Sequence, residues 1–152
     1  MIGDHHSAGR TKGVVLLETI IVLPLLLVLM LVTAEFGQAF WQYSALTKSL
    51  RDGARFASSA GLLGSTGVVV ITGEFQTNVR NVVVYGNTAG TGTPVLPGFV
   101  TSAVSVDAPG DGDVIVRASY PYQALFGLVP TFYGASASAP LTLDAAVRMK
   151  AL

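Results

Sequence analysis

Apolar residues follow three patterns along this 152-residue chain, and each pattern predicts a different element. The first is an unbroken run. Val14 to Ala34 reads VVLLETIIVLPLLLVLMLVTA, 21 residues whose only charge is Glu18. As a helix rising about 1.5 Å per residue it spans about 30 Å, the thickness of a bilayer's hydrocarbon core. The second pattern is helical periodicity. Phe36, Phe40, Tyr43, Leu46, Leu50, Ala54 and Ala57 recur at steps of three and four. Glu35, Gln38, Gln42, Lys48, Asp52 and Arg55 fall mostly on other faces. One helix from Val14 to about Ser59 follows, with Pro24 kinking its apolar half. Phe75, Val79, Val82 and Val83 predict a second helix over Glu74 to Tyr85, with Thr72 as N-cap and Gly86 as its stop.

The third pattern is alternation. Val104 and Val106 alternate first, then Val114, Val116, Ala118, Tyr120 and Tyr122, then Leu141, Leu143, Ala145, Val147 and Met149. Pro109 to Gly112 marks a turn between the first two sets. Arg117 and Ser119 take the opposite face of the middle set, and Thr142, Asp144, Arg148 and Lys150 intersperse the last. One-sided alternation of this kind suits an antiparallel sheet packed on a helix. Gly61 to Gly73 is a small-residue linker around Val68–Ile71, which reads as a short strand or as the start of the second helix. Asn87 to Gly98 reads as an exposed loop. Ala124 to Pro140 reads as an insertion with a helical turn around Leu125 to Phe132.

The fold class expected is therefore α+β: a long N-terminal helix, transmembrane then amphipathic, a second helix and a small antiparallel sheet of about three strands. The divisions are residues 1–13 as a polar leader, 14–34 as the transmembrane half, 35–59 as the amphipathic half and 60–152 as a small globular domain.

Composition narrows the chemistry. A mean hydropathy of +0.58 and 12% charged residues agree with an anchored chain. Formal net charge is zero, which disfavours nucleic acid as a partner. There is no cysteine, hence no disulfide framework, and the redox compartment stays open. The two histidines, His5 and His6, sit side by side in the leader, where a disposable segment explains them better than a metal site does. No Ser-His-acid set or phosphate loop is legible, so neither a cofactor nor an enzymatic activity is expected. Asp107, Asp111 and Asp113 crowd one turn, which would suit calcium. They match no complete calcium loop and lack a downstream bidentate Glu, and turn chemistry accounts for them as well. Phe36, Phe40, Trp41 and Tyr43 cluster where the helix would leave the bilayer, as an aromatic belt or as packing against the domain.

Orientation follows from Arg10 and Lys12, which place the leader in the cytoplasm and the C-terminal domain outside. Lys48, Arg51 and Arg55 weigh the other way, but Lys48 already lies at the edge of the distance over which such charges act. Val32-Thr33-Ala34 would suit signal peptidase, yet the span is longer than a signal peptide's apolar region and the helical pattern continues past it.

The misfit in the span is Glu18. A carboxylate costs about 2.5–3.5 kcal/mol at the centre of a bilayer and less near its surface. Gly13, four apolar residues and then Glu18, after a short basic leader, resemble the processing site of type IV prepilins and pseudopilins. The resemblance implies that a membrane aspartyl prepilin peptidase cuts between Gly13 and Val14. Glu18 would then be the fifth residue of the mature chain, facing the Val14 amine of a neighbouring subunit.

The wider pattern resembles the TadE-like pseudopilins of tight-adherence (Flp-type) pilus systems. It rests on GVVLLE at the processing site, the Leu23-Pro24 step, Glu35 before the aromatic cluster, LRDGARFAS at Leu50 to Ser58, and the closing Val147-Arg148-Met149. Major Flp pilins have Glu-Tyr at the processing site and are much shorter, whereas here Glu18 precedes Thr19 and over 90 residues follow the first helix. The resemblance thus implies a pilin-like fold and a minor pilin or pseudopilin. Its implied partners are the prepilin peptidase, other pilins and pseudopilins, the inner-membrane assembly platform and membrane lipid. The competing reading is an unprocessed, single-pass, membrane-tethered binding module on the outer face. An enzyme freed by signal peptidase finds no supporting site.

Overall fold

The apolar run and the amphipathic stretch after it form a single helix. The computed structural model describes residues 8–60, 71–109, 112–126 and 141–150. Within them, α1 (Ala8–Ala60) runs unbroken for 53 residues, with Pro24 inside it. At the helical rise that is about 80 Å. The helix starts earlier than Val14, inside the segment expected to be a polar leader, so Gly13 and Val14 lie within helical backbone. His5 and His6 lie outside the described residues.

α2 (Gly73–Tyr85) is closed at both ends as its sequence predicts. The Thr72 hydroxyl accepts from the Phe75 N–H at 3.1 Å, satisfying a donor the first turn would leave open. Gly86 takes φ 74°, a conformation that glycine adopts without a Cβ penalty, and its N–H returns to the Val82 carbonyl at 2.9 Å. Val68–Val70 lie outside the described residues, and Ile71 and Thr72 precede the helix without regular structure.

The strands β1 (Val104–Asp107), β2 (Asp113–Pro121) and β3 (Thr142–Lys150) form one antiparallel sheet in the order β1-β2-β3. Register puts like with like on the inner face: Val106 opposite Val116, Val116 opposite Val147, and Tyr120 opposite Leu143. The inner residues of β1 and β2 are buried, while those of the edge strand β3 are half-covered. Outside, Arg117 pairs with Asp107 and Arg148 with Asp113, each at 2.5 Å. These two carboxylates of the aspartate-rich turn are thus engaged by cross-strand arginines, and Asp111 lies outside the described residues.

α1 covers β2 and β3, and α2 packs beside it toward β1. The two helices meet closely at Gly53, where an added Cβ would collide with the Val83 side chain. Leu46, Leu50, Ala54 and Ala57 of α1, Val79, Val83 and Val84 of α2, and the inner sheet residues form the core. Buried Ser49 and Ser58 hand their hydroxyls back to the Leu46 and Arg55 carbonyls, so they cost no unpaired donor.

The segment expected as an exposed loop is mostly exposed, but Leu96 within it is fully buried. Phe99, just beyond, meets Tyr120 edge-on at 5.7 Å between ring centres. The Tyr120 hydroxyl donates to the Pro97 carbonyl at 2.8 Å. Two apolar residues and one phenol therefore fasten this loop to the sheet. Leu125 and Phe126, the described part of the expected helical turn, are not helical, and the rest of that stretch lies outside the described residues.

Candidate functional site

Two regions of α1 carry residues whose chemistry needs an explanation. The first is the half that stands clear of the other described elements. From Val14 to Met30 every residue is exposed, an apolar surface about a bilayer's thickness long with Glu18 near its start. Glu18 is bonded to nothing among the described residues. Beside it, Thr19 returns its hydroxyl to the Val15 carbonyl at 2.9 Å, so the hydroxyl adds no unpaired donor to the apolar surface. A Cβ built on Gly13 meets nothing within 4 Å. A glycine within a helix costs about 1 kcal/mol relative to alanine, and no packing in this fold asks for it here. Gly13, Val14, Glu18 and Pro24 thus lie along one exposed helix, and no other element among the described residues converges on them.

The second region is the junction where α1 meets the domain. Glu35, next after the span, is fully buried. Its Oε1 accepts from the Tyr122 hydroxyl at 2.9 Å and from the Leu125 N–H at 3.1 Å. Its Oε2 accepts from the Phe126 N–H at 3.0 Å. Two turns further along α1, the Gln42 amide pairs with the backbone of Gln123, donating to its carbonyl at 2.7 Å and accepting from its N–H at 3.0 Å. The Tyr122 N–H in turn donates to the Leu141 carbonyl at 2.7 Å, just ahead of β3. Two polar side chains of α1 therefore clasp the backbone that follows β2.

This arrangement corrects the expected amphipathic stripe. Glu35 and Gln42 were placed on outward faces, and they are buried. Phe36, Phe40 and Tyr43 were placed on the inward stripe, and they are exposed. The reason is that the end of the sheet presents backbone rather than side chains to α1 at this level. Backbone amides are matched by carboxylate and amide groups, not by aromatic rings. The aromatic cluster of Phe36, Phe40, Trp41 and Tyr43 stays outside the core, 46% to 74% exposed, with Trp41 lining a surface hollow beside Val82 and Val95.

Sequence comparison bears on both regions. The family model described as TadE-like protein matches residues 13–55. The first helix is TadE-like. The match takes in Gly13, Glu18 and Pro24 of the exposed half and Glu35 and Gln42 of the junction, and it ends before α2. No curated protein and no solved structure matches the chain. The TadE-like helix is also the one described helix long and apolar enough to cross a membrane.

The clasp on this TadE-like helix has an electrostatic signature. Burial pushes the Tyr122 phenol well above the ordinary tyrosine value, and the hydrogen bond and charge of Glu35 push it further. Tyr120 is raised by burial as well. The sequence did hold a signal for the clasp. Glu35, Gln42, Leu46, Ser49, Gly53 and Ala57 continue at helical steps, so admitting polar residues to the stripe would have traced the buried face.

Proposed function

We propose that this protein is a minor pilin or pseudopilin of a tight-adherence pilus system, processed between Gly13 and Val14 by a prepilin peptidase. The observation that carries the reading is the TadE-like match falling on an exposed apolar helix with an unpartnered Glu18 and a glycine no contact requires. After processing, the Val14 amine and Glu18 of neighbouring subunits pair within the membrane. Burying the two charges together costs far less than burying either alone. The exposed half of α1 then packs on other pilin helices, and the domain is carried outside the membrane. Processing requires the helical backbone at Gly13 to open locally. Glycine suits this, since it weakens the helix there and leaves the backbone accessible.

The test is Glu18→Ala, expressed beside the other pilins of its system. Processing should persist, because the scissile bond is untouched, while recovery of the variant with assembled pili is lost. A Glu18→Ala protein that assembles as the parent does would refute the pairing role. Retention of the leader and no association with pilins would favour a membrane-tethered binding module instead.

A further inference from the structure

The clasp fixes where the end of the domain sits relative to the membrane. Glu35 follows directly on the apolar span, and its carboxylate holds the N–H groups of Leu125 and Phe126 within 3.1 Å. That backbone therefore lies level with the point where α1 leaves the bilayer. The side chains it carries are apolar and open: Leu125 is 55% exposed and Phe126 is 49% exposed. Leu141, whose carbonyl bonds to Tyr122, is exposed at the same end. Among the described residues beyond α1, the exposed large apolar side chains are these three with Val95 and Val100. The outer face of the sheet is mostly polar, with Ser105, Asp107, Arg117, Ser119, Asp144 and Arg148 beside Ile115 and Ala146. Phe36, one residue past Glu35 on α1, is exposed as well.

We propose that Leu125, Phe126 and Leu141 form a second membrane contact, seated in the interfacial layer of the bilayer beside α1. This rests on the reading of α1 as membrane-spanning. The patch is continuous with the span, which argues for lipid as its occupant. Residues 122–126 carry no charge, so the contact works by apolar insertion and does not need anionic lipid. The span and the loop give two points of attachment, and these set the tilt of the domain on the membrane. Glu35 is the positioning residue. It holds the loop by its backbone, which leaves the apolar side chains free for lipid.

The chain has no cysteine, so single probes are straightforward. The full chain is reconstituted in phosphatidylcholine vesicles with bimane on Ala124→Cys, and quenched by lipid spin-labelled near the headgroup. Probes on Leu26→Cys, within the span and read with lipid spin-labelled deep in the acyl chain, and on Lys150→Cys, beside the far end of α1, are compared. Quenching at residue 124 should exceed that at residue 150 at least about twofold. Leu125→Ser with Phe126→Ser should remove the excess, while the bonds to Glu35, made by backbone, persist. Equal quenching at 124 and 150 with strong quenching at 26 would overturn the loop contact and leave the span intact. Weak quenching at 26 would overturn the span and the inference with it. A probe at 124 shielded from aqueous iodide yet untouched by lipid quencher would mean a protein partner covers the patch, and would also overturn the proposal.

Discussion

Glu35 is the residue on which the two halves of the molecule depend. A buried carboxylate is costly unless each oxygen is hydrogen-bonded, and this one receives a phenol and two backbone N–H groups. Glu35→Ala strands the Leu125 and Phe126 N–H groups and leaves the Tyr122 hydroxyl only the residue-35 carbonyl, at 3.2 Å. It should cost about 3 kcal/mol, read as a lowered midpoint in thermal unfolding of the detergent-solubilised protein. Glu35→Gln keeps the shape and should cost less. Tyr122 adds a pH dependence with a definite sign. Its folded pKa, like that of Tyr120, is raised, so the fold favours the neutral phenol. That stabilisation is whole below the unfolded value near pH 10 and is lost as pH climbs through and above it. The unfolding midpoint should therefore fall on going from about pH 9 to about pH 11. Tyr122→Phe should lose about 1 kcal/mol at neutral pH and show a shallower alkaline decline. None of this was legible from apolar periodicity, because a buried acid looks like a surface acid until its partners, nearly 90 residues away, are known.

At the level of elements, local chemistry was the better guide. Thr72 and Gly86 bound α2 because capping and left-handed backbone are decided within a few residues. Thr72→Ala should cost about 1 kcal/mol, checked by the same unfolding curve. The strands were legible because period-two alternation leaves one inner face, and β2 shows it over its whole length. What could not be read was how the elements meet. Gly53 looks like a helix weakness in the sequence, yet it is where α2 comes closest to α1. Gly53→Val would drive a branched side chain into buried Val83. It should destabilise the domain by about 2 kcal/mol, whereas Gly37→Ala, which meets nothing within 4 Å, should not. Leu96 was hidden for a related reason, since an adjacent Val95-Leu96 pair in a Gly- and Thr-rich loop makes no period and does not say which of the two is buried.

Across the whole molecule, one helix does two physical jobs, and the change comes within a single turn. From Val14 to Met30 its residues are exposed and, apart from Glu18 and Thr19, apolar, suited to lipid or to other helices. From Glu35 it is the spine of a small α+β domain. The fold class is written in the order of apolar runs along the chain, whereas the TadE-like character of the helix rests on the particular residues of the matched stretch, 13–55. The central claim is that the N-terminal end of this helix is a substrate for prepilin processing. It is tested most directly by the N-terminal sequence of the protein isolated from membranes, with and without an active prepilin peptidase. The account predicts a peptidase-dependent start at Val14. A start at Met1 or Ile2 under both conditions would contradict it, and so would a start near Glu35, which would make the span a signal peptide.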